Sequence, residues 1–360
     1  MADLMTGVYT YDALVKRYGN FCVPLIRIKK GRVDLVSVLK LSVLELKVTL
    51  SLEAASMAVF KIGGIYDEET HSFEDKVKSG FTLGNIMEVE LGYQSSALSI
   101  FKGYVAMLGA EFGKTPCLVV TLMDVRRLMM QSGSVYMLHH VSNYSDAFRT
   151  TMSKYAKLCT VSVDATSDNL ENPLSQTQND YLFVTGELIR NGKADREFFV
   201  LGGKAYFREP AKMKIPIMTL QFGRELLALK NDEEYQDLKI EVIGFDEGGQ
   251  KAVTGKASVQ RGSNSKKILT ATPVLTVTDP TVDTQKKANE KANSIARKKE
   301  WTARSGTGVT IGLPELVPGR FVRVRSLEKD YGDHEYYIKN VVHEISGEVF
   351  QTVFEIGGWN

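Results

Sequence analysis

Hydrophobic and polar positions alternate through much of this chain, and the alternation predicts a protein built mainly of β-strands. In NIMEVELGY, Met87, Val89, Leu91 and Tyr93 fall on one face and Glu88 and Glu90 on the other. Upstream, CVPLIRIKK, LKLSVLELKVTLSL and MAVFKIGG carry the β-branched and leucine content of strands between polar breaks. CLVVTLM is apolar without alternation, the pattern of a strand covered on both faces. Residues 67–80 form a polar, mostly acidic excursion, either a surface loop or a short helix.

The end of the chain repeats the rhythm of 81–124. Each copy opens at a turn glycine, Gly84 or Gly319, and runs into a strand alternating apolar with charged residues. An aromatic follows seventeen positions past the glycine, Phe101 or Tyr336. A final apolar strand starts near Leu118 in one copy and near Thr352 in the other. The spacing fits a duplicated barrel, and it also fits two unrelated meanders of common length. Duplicated barrels suit assembly better than catalysis. At the fourth and sixth positions past the glycine stand Glu88 and Glu90 in the first copy, Arg323 and Arg325 in the second. Opposite charge on matching strands makes these four candidates for an interface between unlike barrels. The plainer account is that exposed strand faces are charged in any soluble protein.

The middle of the chain changes character. Ser142 or Asn143 can cap a helix running to about residue 158, with Phe148, Met152 and Tyr155 on one face. A second helix is predicted from near 177, burying Tyr181, Leu182, Leu188 and Ile189, with Gly192 as its left-handed stop. REFFVLGGKAYFREP then reads as a hairpin turning at Gly202 and Gly203. Beyond it, LKIEVIGFDEGG and QKAVTGKASV form another hairpin, followed by a loop, RGSNSKK. One strong helix spans 284–304. Its narrow stripe, Ala288, Ala292, Ile295, Ala296 and Ala303, suits close packing on a sheet.

The predicted fold class is mainly β with an α+β insert: two tube-like β-barrel domains flanking a small α+β domain. The boundaries are an N-terminal segment 1–20, a first barrel 21–130, a middle domain 131–216, and a second barrel 217–360 that carries the basic helix.

Composition narrows the function classes. The apolar and charged fractions, 43% and 24%, are those of an ordinary globular protein. A net charge of +2 gives no general attraction to nucleic acid or anionic membrane. The N-terminus shows no basic segment followed by a long apolar run, so no leader is expected. No stretch approaches the about 18 apolar residues of a membrane span, so no membrane insertion by this chain is expected. Cys22, Cys117 and Cys159 are an odd, widely spaced set with no CxxC pair that suits buried thiols in a reducing compartment, a cytoplasm, better than a disulfide framework.

No catalytic or metal motif stands out. Gly306 and Gly308 in SGTGVTIG follow a helix rather than leading into one, so dinucleotide and P-loop patterns fail. Neither a GxSxG elbow nor an HExxH motif occurs. His139 and His140 would point to opposite faces of a strand, and His343 in VVHEISG lacks a second ligand at metal spacing. Asp246 and Glu247 precede two glycines and suit a turn better than an acid pair. The other face of the 284–304 helix carries Lys286, Lys287, Lys291, Arg297, Lys298 and Lys299. A solvated face, or one docking on an acidic partner, fits better than a specific nucleic-acid site, since Trp301 is the one aromatic nearby. No cofactor is expected.

The order of these words resembles the phage late control D family, the baseplate hub proteins of contractile tails. GNIMEVELGY, IFKGYV and VTLMDVRRLM are similar to its start; YSDAFRTTMSKYAKL and QTQNDYLFVTGELIRNGKADREFFVLGGKAYF to its middle. LPELVPGRFVRVR, YYIKNVVHEISG and QTVFEIGG look like its terminal barrel, including Pro318, Gly319, Tyr337 and His343. The resemblance covers roughly 24–358, and it extends to the N-terminal part of the valine-glycine repeat spike proteins of type VI secretion. It implies a homotrimer whose six barrels match a six-fold inner tube on one side and a three-fold spike on the other. It implies as partners the tail tube protein, a separate spike protein and other baseplate proteins, in a particle assembled in the bacterial cytoplasm. Those spike proteins continue into a β-helical needle, so here the spike is expected on another polypeptide. Two other classes stay open: a carbohydrate- or oligonucleotide-binding module, monomeric with an aromatic groove, and a hydrolase with carboxylates clustered in a cleft.

Overall fold

The computed structural model describes residues 3–359 except 135, 167, 192–195, 260–265 and 329–333. Predicted positions Gly192 and most of RGSNSKK lie outside the described residues. The first third carries α1 (Tyr11–Tyr18), β1 (Pro24–Lys30), β2 (Val33–Asp34), α2 (Leu35–Val38), β3 (Ser42–Ser51) and β4 (Met57–Gly63). A small ribbon of β5 (Tyr66–Asp67) and β6 (Ser72–Phe73) and the short α3 (Asp75–Gly80) make up the acidic excursion. Then come β7 (Ile86–Tyr93), β8 (Ser96–Glu111), β9 (Cys117–Met123) and α4 (Val125–Met130).

The middle holds β10 (Met137–His139), α5 (Tyr144–Ser153), β11 (Thr160–Val163), β12 (Leu174–Gln176), α6 (Asp180–Leu182), β13 (Glu197–Leu201) and β14 (Lys204–Arg208). Asn143 caps α5 by accepting the Asp146 N–H, as the sequence predicts. The helix stops at Ser153 rather than near 158, because the chain closes into turns in which Leu158 and Cys159 donate to the Tyr155 carbonyl. The second helix begins at Asp180, capped by Asn179, and widens at once into a π-helix over Phe183–Asn191. The later start and wider winding turn a different face inward. Phe183, Val184 and Leu188 are buried, Tyr181 and Ile189 are half-buried, and Leu182 is exposed.

The last part contains β15 (Thr219–Gln221), β16 (Leu226–Glu233), β17 (Lys239–Asp246), β18 (Lys251–Ser258), β19 (Val274–Thr278), α7 (Gln285–Ala303), β20 (Arg304–Ile311), β21 (Phe321–Arg325), β22 (Glu335–Ser346) and β23 (Val349–Trp359). β23 starts three residues before Thr352, whereas β9 starts where the sequence places it.

The strand order β3-β4-β9-β8-β7 recurs as β16-β20-β23-β22-β21. The recurrence reaches single residues. β8 slips by one against β9 between Val105 and Met107, and β22 slips against β23 between Ile338 and Asn340. β3 bulges against β4 between Val43 and Glu45, and β16 against β20 between Leu226 and Ala228. Bulges at matching places in both copies are what a duplicated ancestor leaves and what chance spacing does not. The copies differ at one margin: β1 runs antiparallel to β7, while β15 runs parallel to β21.

The two copies are not separate barrels. The first half of β22 pairs with β21, and its second half pairs with β3, Asn340 opposite Ser51 through Ser346 opposite Glu45. This junction fuses them into one 13-stranded sheet over a shared core, and the described ladders close neither half into a tube. The predicted mainly-β architecture with its α+β insert holds. The physical cause of the fusion is the length of β22, whose second half leaves an edge that β3 satisfies.

The β13–β14 hairpin turns at Gly202 and Gly203, both at positive φ (55° and 78°), and wedges between two cores. Its alternation sends Phe199, Leu201 and Tyr206 into the sheet core and Phe198, Val200, Ala205 and Phe207 into the helical core. Between β16 and β20 sits a unit that the sequence reading had merged with the second barrel: β18-β17-β19 covered by α7. Ala288, Ala292 and Ala296 are buried there, and a Cβ on Gly255 would lie 2.0 Å from the Ala288 carbonyl oxygen. Small residues on both sides let this helix lie directly on the strands.

Candidate assembly surface

Gly84 and Gly319 open their meanders with nearly equal left-handed φ, 83° and 82°. Gly84 N–H donates to the Val105 carbonyl and Val105 N–H returns to Asn85. In the second copy, Gly319 donates to Ile338 and Ile338 returns to Arg320, every bond at 2.9 Å. This hydrogen-bond ladder makes Val105 and Ile338 equivalent and places Tyr337 opposite Tyr104 in the comparison. The aromatics aligned by spacing, Phe101 and Tyr336, are therefore out of step, because the stretch from the glycine to its hydrogen-bonded partner spans 21 positions in the first copy (84 to 105) and 19 in the second (319 to 338).

Around the second glycine the sheet is tied to the middle hairpin. Tyr337 Oη donates to Glu197 Oε2 at 2.6 Å, Arg208 Nε donates to Glu197 Oε1 at 2.7 Å, and Arg208 Nη2 reaches the Gly319 carbonyl at 2.5 Å. Pro318, Gly319, Tyr337 and Arg208 are all buried. Burial raises the Glu197 carboxyl, and burial with that carboxyl beside it pushes Tyr337 well above its ordinary value. Arg320 is wholly buried, donating to the carbonyls of Leu4 (2.6 Å) and Gly7 (2.8 Å), and burial pulls it down to about 10. The N-terminal segment is thereby held against the sheet. Its helix adds Tyr18, whose hydroxyl donates to the buried Glu315 at 2.7 Å. Tyr18 and Phe21 pack against Tyr93, tilted and edge-on, and Tyr93 in turn meets Phe350, one aromatic from each copy.

Of the four charged candidates, Glu88 and Arg323 occupy equivalent positions, since Glu88 lies opposite Lys102 and Arg323 opposite Glu335 on the following strand, whereas Glu90 follows a bulge and the second ladder stops short of Arg325. The swap in sign is thus compensated within each copy. Glu90 is buried and ion-paired with Lys29 and with Arg27 (3.5 Å), and Arg323 pairs with Glu335. Glu88 is half-buried and Arg325 exposed.

His343 is buried, its Nδ1 2.9 Å from Thr352 Oγ1, and burial lowers its pKa to about 3, which keeps it neutral. His139 is buried 2.8 Å from Gln176 Oε1, while His140 faces solvent. Among the described residues no cluster of His, Cys, Asp and Glu could hold a metal, and no helix is long and apolar enough to cross a membrane. Asp246 accepts the Gly249 N–H at 2.9 Å, the turn role that its sequence context suggests. On α7, Lys287 pairs with Asp283 and Lys291 with Asp279, which neutralises part of the basic face.

Sequence reasoning missed the buried polar ties. Arg320, Arg208, Glu197 and the Asp124–Arg126 pair (2.7 Å) carry no periodic signal. A charged residue inside an apolar run, as in LVPGRFV, is the one clue available. Two strand edges were missed as well. Among the described residues, 106–111 of β8 pair with β9 alone, and β16 past Leu226, which bridges Phe222, pairs with β20 alone.

This architecture is shared with phage tail proteins. A tail protein from Neisseria meningitidis MC58 superposes with a TM-score of 0.67 at 11% identity, over 93% of this chain and 97% of the other. The 43 kDa tail protein of prophage MuSo2 from Shewanella oneidensis gives 0.66 at 14% identity, over 92% and 97%. The E. coli c3393 protein gives 0.59 at 9% identity, over 93% and 77%. It is described as a component of the type VI secretion system, structurally similar to the T4 bacteriophage tail proteins gp27 and gp5. No curated protein matches the chain in sequence. Residues 36–347 match the family described as the Alg8 N-terminal domain, and the chain belongs to that family.

Proposed function

We propose that this protein is a structural, non-enzymatic hub of a contractile tail or injection particle, of the late control D type. Three copies would form a collar joining a six-fold inner tube to a three-fold spike and templating tube assembly. The observation that carries this reading is the residue-by-residue repeat of the two β-units, because three such chains present six similar units around one axis. The tail-protein fold supports it, as does the likeness to a type VI secretion component. The functional division is into a first tube unit at 21–130, a connecting domain at 131–216 and a second tube unit at 217–360. Glu88 and Arg325 have the exposure that suits a contact between unlike units.

Sedimentation of the purified chain, alone and with tube and spike proteins, tests the proposal. A trimer that co-sediments with both is expected. A chain that stays monomeric at every concentration and binds neither would overturn it.

A further inference from the structure

We infer that the collar closes by strand addition between copies: β16 of one chain pairs with the free edge of 106–111 in the next. This rests on the trimeric reading above and gives it a register. Within one chain the second half of β22 is covered by β3. The ladders make 107–111 equivalent to 340–344, and β16 equivalent to β3. The matching half of β8 has no such cover, and among the described residues β16 past Leu226 has no second strand partner. An uncovered edge beside a spare copy of its natural cover points to a second copy of this chain as the occupant.

The intrachain register carries over directly. Val342 opposite Thr49, His343 opposite Val48 and Glu344 opposite Lys47 become Gly109 opposite Asp232, Ala110 opposite Asn231 and Glu111 opposite Lys230. The last pair is complementary in charge, as is its intrachain model, Glu344 with Lys47. Glu111 and Lys230 are both exposed, held at present by Lys61 (3.0 Å) and Asp232 (2.7 Å).

A cleft supplies an independent sign. Past β3 the chain continues to Leu52, whose N–H donates to the Lys339 carbonyl and whose side chain packs on Phe321 and Tyr337 beside Gly319. The equivalent place in the first copy is a cleft of about 430 Å³ lined by Gly84, Ile86, Tyr104 and Ala106. A Cβ on Gly84 would meet nothing within 4 Å, whereas one on Gly319 meets Arg208 at 2.8 Å. The residue equivalent to Leu52 is Tyr235, which is 38% exposed and has its hydroxyl 3.4 Å from Asp237 and from the Ile268 N–H. A neighbour's Tyr235 would fill the cleft. The association is head-to-tail, and three chains would alternate intrachain and interchain copies of one junction around the ring.

Cysteine pairs read the register. Glu111→Cys with Lys230→Cys, in a Cys22→Ser background, should oxidise to covalent dimers and trimers and to nothing larger. Opposed residues stand within disulfide reach, and residues two positions off do not. Glu111→Cys with Asp232→Cys should cross-link at least ten-fold less. Tyr235→Ala should weaken assembly while leaving the monomer folded. A sample that sediments as a trimer but cross-links equally in both pairs, or in neither, overturns the edge pairing and leaves the hub reading standing. Covalent ladders beyond three overturn the closed ring. A chain that neither cross-links nor associates with any neighbour overturns both.

Discussion

Tyr337 Oη donates to Glu197 Oε2 at 2.6 Å across a separation of 140 residues, and Arg208 holds the other carboxylate oxygen. One buried carboxyl thus fastens the terminal meander to the middle hairpin. Tyr337→Phe removes a donor to a largely buried carboxyl, and should cost about 1–3 kcal/mol. Urea unfolding checks this. An unchanged midpoint would mean that the hairpin is held by packing alone.

The two turn glycines should respond unequally to a methyl group. At both, an L-residue must adopt positive φ, a cost of about 1 kcal/mol. Gly319→Ala also drives its Cβ toward Arg208 Nη2 at 2.8 Å and Phe199 at 3.1 Å, while Gly84→Ala enters open space. Thermal unfolding should show Gly319→Ala to be the more damaging of the two, and equal losses would count against the packing at Gly319.

The strand-rich class, the meander repeat and the Gly202–Gly203 turn were legible in the sequence because each rests on local patterning. Alternation sets the face, and glycine sets the turn. What was not legible is long-range. That β22 would pair with β3 depends on which edge is left uncovered, and no local pattern encodes that. The spacing match of Phe101 with Tyr336 failed because loop length varies freely while ladder register does not. The aromatics were counted through the loop. The α7 unit was folded into the second barrel because its strands read like any others; the clue was Gly255, whose backbone lies against Ala288.

His343 gives the stability a defined acid limb. Burial holds its folded pKa near 3, below the ordinary 6.5. The folded state therefore refuses a proton that the unfolded chain accepts between those values. Its contribution is present above pH 6.5 and is lost as pH falls toward 3, at up to about 1.4 kcal/mol per pH unit. Glu315, raised by burial, acts with the opposite sign: its contribution is present below about 4.5, its ordinary value, and is lost as pH rises through its folded value. His343→Asn should flatten the limb between pH 6 and 4 whatever it does to stability at pH 7. Chemical denaturation at a series of pH values checks the slope, and an unaltered slope would assign the acid limb elsewhere.

The charge swap between the copies separates two roles that one charge reversal would confound. Arg323 faces Glu335 inside the chain, both partly exposed, so their coupling should be at most about 1 kcal/mol. Arg323→Glu should lose that much folding stability and regain it when Glu335→Arg is added, with no requirement for a second copy. A contact between unlike units behaves differently. Glu88→Lys should lower the association constant by more than about ten-fold while its clash with Lys102 costs at most about 1 kcal/mol of folding stability, and Arg325→Glu in the same chain should restore association alone. Measuring both quantities on the same variants tells the two apart. If Glu88→Lys assembles as the parent does, the charges serve their own sheets, and partner choice rests on strand edges instead.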